Sequence, residues 1–227
     1  MNEPDHLAGL DPVVQESTPA IIARGLRRAI SDGSFAPGDQ LGEAALARTL
    51  GVSRGPLREA MQRLTQEGLL VSHRNRGLFV ADLTPEAVAD MYLLRTTIET
   101  AALQRVLESG AGARTADELD SAVDAMAARA EEPRSAAMVA ADLDFHHALV
   151  EAARSPRLSR VHETVLVETS MCLHAMSATY SDADSRLSEH RAIAEAVRAG
   201  DAARATSLLV EHMHDGLARV RAAGPAT

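Results

Sequence analysis

Apolar residues return along most of this chain every three or four positions, the spacing of one helix face, and strand-like runs are confined to one short stretch. Glu43 to Leu50 is a brief helical run rich in Ala and Leu, and Gly51 closes it because glycine enters the left-handed conformation freely. Val52 anchors a tight turn. Ser53 stands where a hydroxyl caps the next helix, and Pro56 falls in that helix's first turn, where a missing N–H costs nothing. From about Arg54 onward Leu57, Ala60, Met61 and Leu64 follow i, i+3, i+4, i+7 and form one buried face. After Gly68 come two apolar strands, Leu69 to His73 and Leu78 to Val80, around the turn Arg74-Asn75-Arg76-Gly77.

From Thr84 the pattern is helical throughout. Six runs are predicted near 85–109, 115–131, 135–153, 156–179, 184–199 and 201–222, separated by short Gly, Ser, Pro or Asp breaks. Thr84-Pro85-Glu86 is a helix start, and Ala199-Gly200-Asp201 ends one helix while capping the next. The predicted fold class is mainly α: an N-terminal winged helix-turn-helix, then an all-α bundle of about six helices. The domains divide as a flexible tail over 1–17, the winged unit over 18–81, the helical unit over 82–222 and a tail over 223–227.

The buried face of the second helix leaves Arg58 and Gln62 on the opposite side, with Arg54 at its N-terminal edge. An arginine fork bonds two acceptors on a guanine edge or grips phosphate oxygens, while small Ser53 and Gly55 let the backbone come close. Arg74, Asn75, Arg76 and Gly77 at the wing tip and Arg48 at the end of the first helix extend the same basic surface. The plainer reading is an ordinary helical hairpin with solvated arginines.

The chain has 227 residues, 46% apolar and 24% charged, an ordinary globular profile for one or two domains. Its net charge of −9 argues against nucleic acid until it is resolved along the chain. Thr18 to Ala81 holds nine arginines against five acids, whereas Leu83 to Thr227 holds fourteen against twenty-two. Only the front part has a DNA-binding balance. There is no secretory leader and no continuous apolar segment of membrane-spanning length, so a cytoplasmic location without membrane partners is expected. The single Cys172 lies among Met171, Leu173 and Met176 and reads as a reduced core thiol.

Seven of the nine histidines fall in the helical unit. Asp142 and His146 are four apart, one turn along a single face, and His190 and His212 come from the last two helices. One carboxylate and three imidazoles pointing inward supply four ligands to a divalent ion; zinc or nickel suits them best, and manganese is compatible. The competing reading is a surface i, i+4 pair and isolated polar-face histidines. A metalloenzyme is the rival from another class, because His and Asp around a metal can activate water. His162-Glu163-Thr164-Val165-Leu166 approaches the zincin pattern but lacks its second His, and no base is identified.

The motif Ser53-Arg54-Gly55-Pro56-Leu57-Arg58-Glu59-Ala60, followed by Leu64 to Leu69, Asn75 to Val80 and preceded by Ala36 to Leu41, closely resembles the GntR family of bacterial transcription regulators over about residues 20–81. The resemblance implies that Arg54, Arg58 and Gly77 lie at or near DNA. Asp142-x-x-Phe145-His146, Pro156-Arg157-Leu158, Glu189-His190-x-x-Ile193 and Gly200-Asp201 with Ala202, Ala205 and His212 resemble the helical ligand-binding domain of the FadR-type branch over roughly 84–220, and six helices favour its VanR-like type. Many members of that branch bind a metal through residues corresponding to Asp142, His146, His190 and His212. Ser155, where the branch usually has Asn, puts one polar contact near the pocket in question.

These readings predict a homodimeric regulator, a repressor in the commoner pattern, on a near-palindromic DNA operator, controlled by a small organic acid at the metal. Arg95, in Leu94-Arg95-x-x-Ile98-Glu99, is the candidate to receive the effector's carboxylate; an intrahelical Arg95–Glu99 pair is the alternative. His162 and His174 are candidates to line the same cavity, or are half-buried helix histidines. A helical unit serving only dimerisation remains a third reading.

Overall fold

A computed structural model describes residues 16–132, 135–175 and 183–223. Among them are nine helices and one three-stranded sheet. The first helix, α1 (Thr18–Ser31), starts at Ser17, whose hydroxyl accepts from the Ala20 amide. It buries Ile22, Ala23, Leu26 and Ile30. β1 (Gln40–Leu41) precedes α2 (Glu43–Leu50), which Gly51 ends at φ 64° in the left-handed region. α3 (Arg54–Gln66) buries Leu57, Ala60, Met61 and Leu64, the face predicted from spacing. Ser53 sits at its N-cap position, but its side chain makes no capping hydrogen bond, so the expected cap is not formed.

β2 (Leu70–His73) and β3 (Gly77–Val80) form an antiparallel hairpin with Val71 opposite Phe79 and His73 opposite Gly77. Asn75 turns the hairpin at φ 61°, a conformation asparagine tolerates better than most residues. β1 adds to the outer side of β3, giving the order β1-β3-β2. Its two residues are too few to show a period in the sequence, and it was not anticipated.

The helical unit comprises α4 (Pro85–Glu108), α5 (Gly112–Ala127), α6 (Ala136–Ala152), α7 (Pro156–Ala175), α8 (Ala183–Ala199) and α9 (Ala202–Ala223). Six helices agree with the six predicted runs. α5 begins three residues earlier than expected. Gly112 reads as a break, yet a Cβ there would lie 2.6 Å from the Val197 carbonyl oxygen, so the glycine permits α5 to touch α8 instead of ending a helix. The last four residues predicted for the fourth run, 176–179, lie outside the described residues, as do most of the two predicted tails.

Two apolar cores form. The larger joins residues of all six bundle helices, among them Leu103, Leu119, Met138, Phe145, Ile193 and Leu209. The smaller packs α1, α3 and the hairpin, and Val167 and Met171 of α7 are buried within it. At the same junction the Ser170 hydroxyl donates to the Ser31 carbonyl at 2.7 Å. Cys172 is buried, and burial pushes its thiol up to about 12, an inert core residue as expected.

Candidate DNA-binding face and histidine cluster

The short turn and the glycine-closed α2 hold α3 so that its apolar stripe faces inward and its cations outward. Arg54, Gly55 and Arg58 are exposed, and Ser53 and Arg48 border the same surface. A concavity lined by Ala44, Arg48, Gly51, Ser53 and Arg54 runs along the α2–α3 turn. Arg48 Nε donates to the Ala44 carbonyl of its own helix at 3.3 Å. Arg58 is 65% exposed and its Nε donates to Glu43 at 2.8 Å, so α2 orients this guanidinium while leaving it open to a partner. Arg74, Asn75, Arg76 and Gly77 form the exposed wing tip, with Arg76 stacked over Phe79 at 5.3 Å. Basic groups from the recognition helix and the wing are thus presented as a groove-binding protein requires.

Inside the bundle, α6, α8 and α9 bring His146, His190 and His212 together, all three buried, with ligand atoms within 4.8 Å of one another. His146 Nε2 stands 3.3 Å from His190 Nε2 and 3.2 Å from His212 Nε2. Each ring's other nitrogen faces an acceptor. His146 Nδ1 is 2.7 Å from Glu99 Oε2, His212 Nδ1 is 2.7 Å from Glu189 Oε2, and His190 Nδ1 is 2.8 Å from the Arg186 carbonyl. Those acceptors place the proton on Nδ1 in all three rings, which turns three Nε2 lone pairs toward one point. Lone pairs that close repel unless a cation lies between them. Nitrogens bound at about 2.0–2.1 Å to one ion at near-tetrahedral angles are about 3.3 Å apart, so the spacing suits a zinc-like ion.

Asp142 stands at the edge of this cluster. Its Oδ1 is 3.7 Å from His190 Nε2 and 3.8 Å from Arg186 Nε, outside the tight group of three nitrogens. Burial alone would raise its carboxyl; His190, His146 and Arg186 outweigh that and hold it at about 2. Burial pushes His146 down to about 4 and His190 to about 3, so both are neutral, ligand-competent imidazoles at neutral pH.

Glu99 is the hub beside the cluster. Oε2 accepts from His146, and Oε1 accepts from Arg95 Nε at 2.7 Å and His162 Nε2 at 3.1 Å. Burial would raise the Glu99 carboxyl, but His146, Arg95 and His162 hold it well below its usual range. The Arg95–Glu99 pair anticipated as the alternative therefore exists. Arg95 Nη2 and His162 Nδ1 nevertheless remain buried without partners.

Two of the expected effector contacts are corrected by position. His174 lies twelve residues beyond His162 on α7, about 18 Å along the helix. It bonds the Ser170 carbonyl of its own helix and packs against Gly33, at the winged unit. Ser155 immediately precedes α7, where its hydroxyl accepts weakly from the Leu158 amide at 3.5 Å, and it lines a surface cleft with Arg154 and Arg160 instead of the polar cluster. Sequence reasoning missed Glu189, Arg186 and the role of Glu99 toward His146. Glu189 adjoins His190 and Glu99 follows Arg95 by four, but neither spacing reveals a contact to another helix.

A winged helix-turn-helix with an outward basic face, joined to a helical unit built around buried histidines, defines a DNA-binding regulator with a sensing domain. Comparison with known families agrees: residues 20–80 match the family of bacterial regulatory proteins called gntR, and residues 90–215 match the FCD domain. The chain belongs to the GntR family and carries an FCD domain. It is 32% identical over 212 residues to an uncharacterized HTH-type transcriptional regulator of Mycobacterium tuberculosis, spanning 88% of each chain. It is 29% identical to a protein of Paenarthrobacter nicotinovorans named "Probable D-xylose utilization operon transcriptional repressor", spanning 81% of this chain and 80% of that one. A crystal structure of a GntR regulator from Rhodococcus sp. RHA1 superposes with a TM-score of 0.77 at 30% identity, over 91% of this chain and 99% of the other. The protein is a transcriptional regulator and not an enzyme, which sets aside the hydrolase reading. Among the described residues no helix is long and apolar enough to cross a membrane.

Proposed function

We propose that this regulator is a homodimeric repressor whose operator affinity is set by a small carboxylate bound beside a divalent metal in the helical unit. The observation that carries the reading is the convergence of His146, His190 and His212 Nε2 atoms whose Nδ1 atoms are all engaged by acceptors. Those three imidazoles would hold the ion, with Asp142 as the fourth ligand; zinc or nickel suits the donor set, and manganese is compatible. When bound, the ion supplies Lewis acidity and open positions for a carboxylate oxygen. The unpartnered Arg95 Nη2 supports an anionic effector on the same side, and His162 Nδ1 offers a second polar contact.

A dimer would set two α3 helices into successive major grooves of a near-palindromic operator, roughly 34 Å apart. Arg54, Arg58 and the wing residues Arg74, Asn75, Arg76 and Gly77 would meet the duplex, with Ser53, Gly55 and Arg48 at its backbone.

The test is elemental analysis of purified protein, then titration of chelator-treated protein with zinc and nickel. About one ion per chain, lost in His190→Ala, is expected. A metal-free preparation that takes up neither ion would leave the helical unit as a dimerisation module. A thermal-shift screen of small organic acids, with and without chelator, examines the effector: hits that vanish with chelator tie it to the metal.

A further inference from the structure

The C-terminal end of α4 borders a cleft that neither the DNA-binding face nor the histidine cluster uses. It measures about 560 Å³ and is lined by Arg105 and Glu108 of α4, Arg114 of α5, Ala153 at the end of α6 and Arg154 just beyond it. α4 starts near the hairpin and runs 24 residues, about 36 Å, before reaching this point. A volume of that size holds a small organic ligand.

Its charge is the opposite of the molecule's. Three arginines and a single acidic residue, Glu108, line it, in a chain of net charge −9. Arg105 Nε donates to the Ala153 carbonyl at 2.8 Å, which fixes the guanidinium across the end of α6 and satisfies that terminal carbonyl. The side chains of Arg114 and Arg154 make no hydrogen bond or ion pair among the described residues, although Arg154 also borders the neighbouring cleft that Glu151 and Glu163 line. Arg198, exposed elsewhere in the helical unit, is by contrast neutralised by Asp117 and Asp120, at 2.8 and 2.6 Å. Like charges gathered around one concavity repel until an anion enters it.

The backbone at Arg154 makes the cluster harder to dismiss as incidental. Its φ is +50°, in the left-handed region that glycine enters freely and other residues enter at a cost. It follows the end of α6, where glycine would terminate the helix without strain. Strain kept at such a position points to a task for the side chain.

We propose that this cleft binds a phosphorylated small molecule, with the phosphate held by Arg105, Arg114 and Arg154. Guanidinium forks match the several oxygens of a phosphate better than the two of a carboxylate when three of them converge. α5 begins beside the cleft with no capping side chain at Ala111, which leaves first-turn amides as additional donors. This site is independent of the metal reading.

Calorimetric titration of chelator-treated protein with pyrophosphate, and separately with inorganic phosphate, tests it; chelator keeps the histidine cluster out of the measurement. Saturable binding at one site per chain is expected, weakened about tenfold or more by Arg154→Gly and by Arg114→Ala, because each removes a charge-assisted bond. Arg204→Ala, an exposed arginine on α9 outside the cleft, is expected to bind like the parent. Arg154→Gly removes backbone strain, so a melting temperature at or above the parent's would separate lost binding from lost folding. No saturation in the parent, equal binding by the cleft variants, or equal weakening by Arg204→Ala overturns the proposal.

Discussion

Replacing Glu99 by Gln tests the polar network at its centre. The substitution keeps the side chain's size and removes its charge. Arg95, only 3% exposed, loses the carboxylate 2.7 Å from its Nε, and an amide with a single acceptor oxygen replaces two oxygens that receive three donors from Arg95, His146 and His162. Breaking a buried ion pair from one side costs about 3–5 kcal/mol, and a donor left facing a donor adds about 1–3 kcal/mol. A loss of roughly 4 kcal/mol or more is a large part of the 5–15 kcal/mol that ordinarily holds a domain together. Urea unfolding followed by circular dichroism, in chelator so that bound metal does not mask the effect, measures it. Glu99→Leu combined with Arg95→Met removes both charges and is expected to regain most of the loss, since apolar replacement of a buried pair is often neutral. In a separate metal titration Glu99→Gln weakens zinc binding about 10- to 100-fold, because His146 loses the anion that orients it. An unfolding midpoint for Glu99→Gln equal to the parent's, or a double variant less stable than the single, would refute the network.

Acid is expected to destabilise the metal-free protein in two windows. His146 and His190, held at about 4 and about 3 by burial, stay neutral in the folded chain while the unfolded chain protonates them near 6.5, so stability falls as pH drops below 6.5; a urea midpoint flat from pH 7 to 5 contradicts this. Burial would raise Glu189, but hydrogen bonds from His212 and Arg219 hold it at about 2, so its contribution is present above about 4.5 and lost toward pH 2. Gly112→Ala forces α5 from α8, because the new Cβ meets the Val197 carbonyl at 2.6 Å; a cost of about 1–3 kcal/mol and a melting point several degrees lower are expected, and unchanged melting would mean the helices part freely. Arg58→Ala should weaken operator binding by about 1–3 kcal/mol and relax preference at one position, as read by fluorescence anisotropy over a set of operator variants; parent-like binding removes Arg58 from the interface. Ser170→Ala deletes the bond to the Ser31 carbonyl and should bring the operator affinities of metal-loaded and metal-free protein closer together; an unchanged ratio between them excludes this contact from coupling.

Much of the fold was legible because its signals are local. The buried stripe Leu57, Ala60, Met61 and Leu64, the stop at Gly51 and the cap at Thr84 each depend on residues within one or two turns. The cluster was legible only in part. Asp142 and His146 share one helix face, yet the partners that orient the imidazoles come from elsewhere: Glu99 of α4 reaches His146 of α6 across 47 positions, and Glu189 of α8 reaches His212 of α9. No spacing rule carries such contacts. His174 was misplaced for a related reason: a long helix passes through two environments, and periodicity gives the face of a residue without its level along the axis. The start of α5 lay outside the run expected from 115, since a glycine serving close approach, as Gly112 does, and a glycine ending a helix look alike in one dimension.

The same length of α7 that misled the reading of His174 bears on how a buried site could govern DNA. His162 touches Glu99 at one level, and eight residues later, about 12 Å along the axis, Ser170 holds the end of α1 while Val167 and Met171 sit in the winged unit's core. α1 in turn packs against α3, the helix that carries Arg54 and Arg58. A helix does not stretch, so a shift of α7 at Glu99 cannot be absorbed before it reaches α1, and close-packed interfaces answer such shifts by changing arrangement. On the proposed function, an effector that engages Arg95 Nη2 would load the guanidinium whose Nε holds Glu99, and so act on the group that also holds His162. Tight binding alone would leave the operator affinity unchanged, because only a ligand that distinguishes two arrangements moves the balance between them. On the proposed function, the ligand's carboxylate would have to be accommodated differently in two positions of α7, and the unpartnered Arg95 Nη2 and His162 Nδ1, both on side chains that bond Glu99, are the buried groups through which that difference would be expressed.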